Sequence, residues 1–264
     1  MDVVVLFTGA GLLAGFLSGL LGIGGGLVLI PVFAAVFAAQ GVDAALVMPL
    51  TMGTSLATII FTSLSSLRAH NTRGSVDWPL VRSMAPGLAV GAVCGALVST
   101  QLPCVALKAA FIVFAGVAAT QLLLGANAQP TRQLPRASAL AATAGGLGIV
   151  SGLVGVGAAT LTVPFLTWCS VSMRTAIGSA SALAFPIAVA GTATYVIAGL
   201  HVQALPAFSL GYVHLPALGG VVVASMIAAP AGAATSHRLP LGILRKVFAL
   251  GLYAAAGKML AASI

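Results

Sequence analysis

The chain has 264 residues and a mass of 26.0 kDa, of which 60% are apolar and 5% charged, with a mean hydropathy of +1.15. A soluble globule carries about 25% charged residues, so eleven Lys and Arg with three Asp and Glu cannot cover this surface, and most of the outside must face hydrocarbon. The net charge of +8 does not indicate nucleic-acid binding, because the basic residues fall between apolar runs, where orientation in a bilayer needs them, and not on one aromatic-studded face.

In chain order, the start Met1-Asp2-Val3 lacks the basic flank of a signal peptide, and the apolar run 3–21 is expected to be a retained first span. The next segment, 27–39, follows the run Gly22-Ile23-Gly24-Gly25-Gly26 and carries Pro31. It falls short of the roughly 20 residues that a full crossing requires. Segment 44–67 carries Thr51, Thr54, Ser55, Thr58, Thr62, Ser65 and Ser66 at intervals of three to four, which places hydroxyls on one helical face. That face lines a permeation path or bonds neighbouring helices and the preceding turn. Segments 78–100 and 105–125 complete the first half. Residues 127–137 form a linker, polar and interrupted by Pro130 and Pro135. Five more segments follow at 138–154, 158–170, 175–198, 207–233 and 242–262, the second of them short and carrying Pro164.

The two sets of five are copies. Gly15, Ser18, Gly19, Leu20, Gly22, Gly24 and Pro31 match Gly148, Ser151, Gly152, Leu153, Gly155, Gly157 and Pro164. Near the end of each half, Gly95-Ala96, Leu102-Pro103, Leu107-Lys108 and Phe111 match Gly232-Ala233, Leu239-Pro240, Leu244-Arg245 and Phe248. The expected architecture is an all-α polytopic membrane protein of two homologous halves, 1–126 and 138–264, with eight to ten membrane segments and Gly/Pro-broken helices. Arg68, His70 and Arg73, then Arg132 and Arg136, Arg174, and the cluster His237, Arg238, Arg245 and Lys246 all fall on one side if every segment crosses. Ten crossings therefore satisfy the positive-inside rule better than eight. An odd count per half inverts the halves relative to each other and leaves both termini outside.

The Gly22–Gly26 run is neither a dinucleotide fingerprint nor a P-loop. Glycine runs weaken a helix and free backbone N–H groups, which in a bilayer must face protein, water or a ligand. At a half-helix N-terminus they favour an anion. The competing reading is close helix approach through small residues. Its occurrence in two copies, each in a short Pro-containing segment, favours a transporter binding site. Candidate substrate-binding residues are Ser18, Gly22, Gly24, Gly25, Gly26, Thr54, Ser55, Ser151, Gly155, Gly157 and Ser179. No carboxylate lies mid-segment, since Asp2, Asp43 and Asp77 map to ends or loops. His214 is the best intramembrane titratable candidate, read first as an interfacial or satisfied core histidine, and Lys258 in the last segment is expected to snorkel. Cys94, Cys104 and Cys169 have no paired or metal-ligand spacing. No metal or cofactor is expected. Catalysis is not expected either, because the serines form no nucleophile motif.

The unit Gly15 to Pro31, Gly53-Thr54-Ser55, the second unit Gly148 to Pro164 and the Leu-Pro-plus-basic anchors resemble those of the sulfite exporter TauE/SafE family of membrane transporters, nearly end to end. The second glycine unit departs from the first, with Ala158-Ala159 in place of Gly25-Gly26. The resemblance implies movement of sulfur-containing anions such as sulfite or organosulfonates across a bacterial cytoplasmic membrane. The expected partners are a small anion and the lipid bilayer. Alternating access at a site between the halves leads; an anion channel with the same lining and a non-transporting membrane scaffold subunit are the alternatives.

Overall fold

Apolar runs without water around them must pair their own backbone groups, and each run expected within the described residues forms a helix, the ninth only from Leu215. The structure, a computed structural model, describes residues 2–21, 25–123, 134–157 and 159–236, together with 249, 250, 253, 256, 257 and 259. The first half runs α1 (Asp2–Leu21), α2 (Gly26–Ala39), α3 (Val47–Asn71), α4 (Trp78–Gln101) and α5 (Cys104–Leu123). The second runs α6 (Ala137–Val154), α7 (Ala159–Trp168), α8 (Met173–Gly199) and α9 (Leu215–Ser236). Gly22, Gly24, most of the linker and of the last segment, and with them Arg132, Lys258 and the 237–246 cluster, lie outside the described residues.

Among the described residues, five helices are long and apolar enough to cross a membrane. By contrast α2 has 14 residues and α7 has 10. At 1.5 Å per residue these reach roughly 21 and 15 Å, well short of a hydrocarbon core about 30 Å thick.

The ninth segment differs from expectation. Residues 209–214 form a small antiparallel hairpin, β1 (Ser209–Leu210) with β2 (Val213–His214), and helix begins only at Leu215. Phe208 and Gly211 both take left-handed backbone, with φ of 62° and 53°, which no helix continues through.

Of the five long helices α3 is central, with 83% of its apolar window buried against 33–50% for the others. It packs on α8 with Met52 facing Tyr195, Leu56 facing Gly191 and Ser66 facing Ser181, so the two run antiparallel. The other close pairs are built on glycine. A Cβ on Gly11, Gly15 or Gly19 would strike the carbonyls of Val221, Ser225 and Ala229. One on Gly87, Gly91 or Gly95 would strike those of Ala141, Gly145 and Ile149. Each series advances one turn per step, so α1 lies parallel to α9 and α4 parallel to α6 in backbone contact. The first helix of each half is thus packed along the fourth helix of the other half.

Lipid is as apolar as leucine, so this assembly rests on close packing and on interhelical hydrogen bonds. Phe33, Phe37, Phe111 and Tyr195 fill the interior, with Phe33 stacked on Phe37 and set edge-on to Phe7. Val105, Val113, Val223 and Ile227 are exposed, as contact with hydrocarbon requires.

Candidate functional site

The two helix breaks meet. Gly25 caps α2 with a left-handed backbone, φ 75°, and its carbonyl accepts the N–H groups of Val28 and Leu29 at 3.1 and 3.2 Å. Gly155 ends α6 with φ 75°, and the N–H groups of Gly155 and Val156 both donate to the Ser151 carbonyl, at 2.9 and 3.1 Å. The Gly155 carbonyl accepts the Ser55 hydroxyl at 3.0 Å. A Cβ on Gly26 would sit 3.1 Å from the Ser55 oxygen and 3.2 Å from the Gly155 carbonyl. The positive end of α2 is therefore held directly against the break of the second half, with Ser55 between them.

Positions that the expected repeat pairs make equivalent bonds. The His70 Nε2 lies 2.8 Å from the Gly19 carbonyl, and the Tyr195 hydroxyl lies 3.2 Å from that of Gly152. Gly19 and Gly152 are matched glycines, and His70 and Tyr195 occupy corresponding places on α3 and α8. Both serve carbonyls in the last turn of a helix that stops inside the protein, where partners must come from side chains. Tyr195 also reaches the Ser99 oxygen at 2.7 Å, and Ser99 reaches the Met52 sulfur at 3.5 Å. Ser66 reaches the Ser18 carbonyl at 3.4 Å and the Ser181 hydroxyl at 3.2 Å. The sequence reading counted His70 among the basic residues after segment 44–67, whereas it is buried in the last turn of α3, and it passed over Tyr195, because an imidazole and a phenol at equivalent positions share no pattern. The offset of 125 residues between Gly53-Thr54 and Gly178-Ser179 was the available signal.

A second matched pair closes the loops. The backbone N–H of His214 donates to the Thr54 hydroxyl, and that of Asp77 to the Ser179 hydroxyl, each at 3.0 Å. Asp77 accepts the Leu80 N–H at 3.1 Å and N-caps α4. His214 Nδ1 accepts the Ala217 N–H at 3.2 Å at the start of α9, with its ring edge-on to Phe37. His214 is therefore a buried capping residue, and burial pushes its pKa below the ordinary 6.5.

The hydroxyl face of α3 divides. Thr54, Thr58 and Thr62 donate to carbonyls of their own helix, whereas Ser55, Ser65 and Ser66 bond other helices. Of the candidate site residues, Gly25, Gly26, Ser55 and Gly155 are brought together. Gly157 is buried in the same break, and Ser151 stands one turn before it. Thr54 and Ser179 serve separate loops. The α3–α8 register puts Thr54 opposite residue 193, about 14 residues or roughly 21 Å along α8 from Ser179. Ser18 is buried on α1, its carbonyl engaged by Ser66. Among the described residues, Cys94, Cys104 and Cys169 form no disulfide.

A family model described as Sulfite exporter TauE/SafE matches residues 7–259. A probable membrane transporter protein of Haemophilus influenzae is 33% identical over 256 residues, covering 94% of this chain and 95% of that protein. The probable membrane transporter protein YunE of Bacillus subtilis is 27% identical over 230 residues, covering 80% and 84% respectively. No solved structure matches the chain.

Proposed function

The chain belongs to the sulfite exporter TauE/SafE family of membrane transporters, and from that premise we propose that it exports small sulfur-containing anions, sulfite or organosulfonates, across a bacterial cytoplasmic membrane. The observation that carries this reading is the meeting of the two breaks. The N-terminus of α2 at Gly26, the Gly155 carbonyl and the Ser55 hydroxyl converge where the ends of half-length helices leave backbone groups without intrahelical partners. Discontinuous helices whose positive ends face the protein interior suit an anionic substrate.

The proposed mechanism is alternating access between inverted halves, 1–126 and 138–264. The antiparallel course of α3 and α8 supports the inversion, as these are corresponding helices. The contact of Ser66 with Ser181 also brings the end of α3 beside the start of α8, so Arg73 and Arg174 share one side, as a basic cytoplasmic face requires.

The membrane potential is the simplest driving force for export. An inside-negative potential is worth about 2.3 kcal/mol per charge per 100 mV, so about 4.6 kcal/mol for a divalent anion. That sustains a gradient of roughly a thousandfold. The test is flux of sulfite in proteoliposomes under a valinomycin-imposed potassium potential without a pH gradient. Saturable, potential-driven flux is expected; flux that follows only a pH gradient overturns the electrogenic mechanism, and no flux of any sulfur oxyanion overturns the substrate assignment.

A further inference from the structure

Threonine and serine hydroxyls inside these helices ordinarily lend their proton to the preceding turn, as Thr54, Thr58, Thr167 and Thr194 do. Thr51, Ser151 and Thr160 are buried, and their hydroxyls have no hydrogen-bond partner among the described residues. An orphan hydroxyl in a low-dielectric interior is destabilising, and these three lie on α3, which reaches Gly155 through Ser55, and on α6 and α7, the helices on either side of the break. Thr51 lies one turn before Ser55 on the same face of α3, and Ser55 donates to the Gly155 carbonyl. The adjacent Met52 is the side chain that a Cβ on Gly155 would meet. Ser151 stands in the last turn of α6, its carbonyl holding the N–H groups of Gly155 and Val156. Thr160 stands in the first turn of α7, at the positive end of a helix whose first N–H groups have no intrahelical acceptor.

The first break is not built this way. The repeat places Ala176 where Thr51 stands and Leu27 where Thr160 stands, leaving Ser18 alone to correspond to Ser151. The polarity is one-sided.

We infer that the Thr51, Ser151 and Thr160 hydroxyls, with the N-terminus of α7, form an oxyanion-binding site at the second break. This deepens the transport reading and rests on it. None of these residues is charged, so the site offers hydrogen-bond donors without a fixed counter-charge. A hydroxyl can give its proton to an oxyanion, and three donors match the three oxygens of sulfite or of a sulfonate head. A site without a fixed positive charge releases a desolvated anion more readily than an arginine clamp, which suits a carrier.

The test uses the full-length protein purified in detergent, with sulfite, sulfate and methanesulfonate as probes in a potassium background. Thr51→Val, Ser151→Ala and Thr160→Val should each weaken the anion-induced thermal shift by about tenfold in apparent Kd, the usual scale for a hydrogen bond to a charged group. The same variants should melt no lower than wild type without anion, because each removes an unpaired buried hydroxyl. Thr143→Val, whose hydroxyl bonds the Ala139 carbonyl, should bind as wild type. Wild-type affinity in the three variants, with loss in Ser18→Ala instead, moves the site to the first break and overturns this inference while leaving the transport reading intact. Stabilisation that follows Na⁺ and not the anion assigns the hydroxyls to a cation and also overturns it. Wild type that binds no probe fails both readings.

Discussion

The backbone N–H of His214 donates to the hydroxyl of Thr54 across 160 residues of chain, at 3.0 Å. The second half thereby closes its loop onto α3, as the first half closes its own onto α8 through Asp77 and Ser179 at the same distance. Both acceptors are buried, so each loop depends on one side-chain oxygen from the opposite half.

Removing either oxygen strands a backbone N–H. Thr54→Val and Ser179→Ala should each cost about 1–3 kcal/mol and lower the melting temperature in detergent. The two sites lie far apart, so the double variant should be additive within about 0.5 kcal/mol. Strong coupling between them would mean that the loops do not close independently.

His214 titrates against the fold. Its pKa is held below the ordinary 6.5 by burial, and protonation removes the Nδ1 acceptor of the Ala217 N–H while placing a positive charge at a helix N-terminus. The contribution is complete above pH 6.5 and is lost as pH falls through the lowered value. Melting temperature should therefore drop on acidification below about pH 6.5. His214→Asn, which keeps a capping oxygen, should flatten that drop and retain sulfite flux. Flux lost in this variant would give His214 a part in transport.

Break glycines and packing glycines should separate by role. Gly25→Leu faces a left-handed backbone and the Ala14 carbonyl at 2.9 Å. Inserted protein without flux is expected, since the break is local. Gly91→Leu meets the α6 backbone directly and should abolish folding, read as loss of monodisperse protein on size exclusion. Equal folding defects in both would remove the distinction between break and packing glycines.

Single cysteines test the inversion in a background without Cys94, Cys104 and Cys169. Arg73 and Gln203 are exposed loop positions after α3 and α8. Arg73→Cys should label with a membrane-impermeant maleimide only from the cytoplasm and Gln203→Cys only from outside. Labelling of both from one side refutes inverted halves.

The membrane class, the two short segments and the described helices other than the start of the ninth were legible in the sequence. Hydrophobic run length, Gly-rich interruption and the paired motifs Gly15 to Pro31 and Gly148 to Pro164 are local properties of the chain. Which glycines serve breaks and which serve contact was not legible: Gly15 and Gly19 belong to the α1–α9 interface and Gly25 and Gly26 to the break, yet all four read alike as glycines in one run. Tertiary structure alone decided that α1 lies along α9 and α6 along α4, because backbone contact leaves only small residues behind and they name no partner. It alone showed that Thr58 bonds its own helix while Ser55 reaches Gly155 and the Thr51 hydroxyl has no partner among the described residues. Those three hydroxyls share one helical periodicity, and what each bonds depends on the helix brought against it by contacts a hundred residues away.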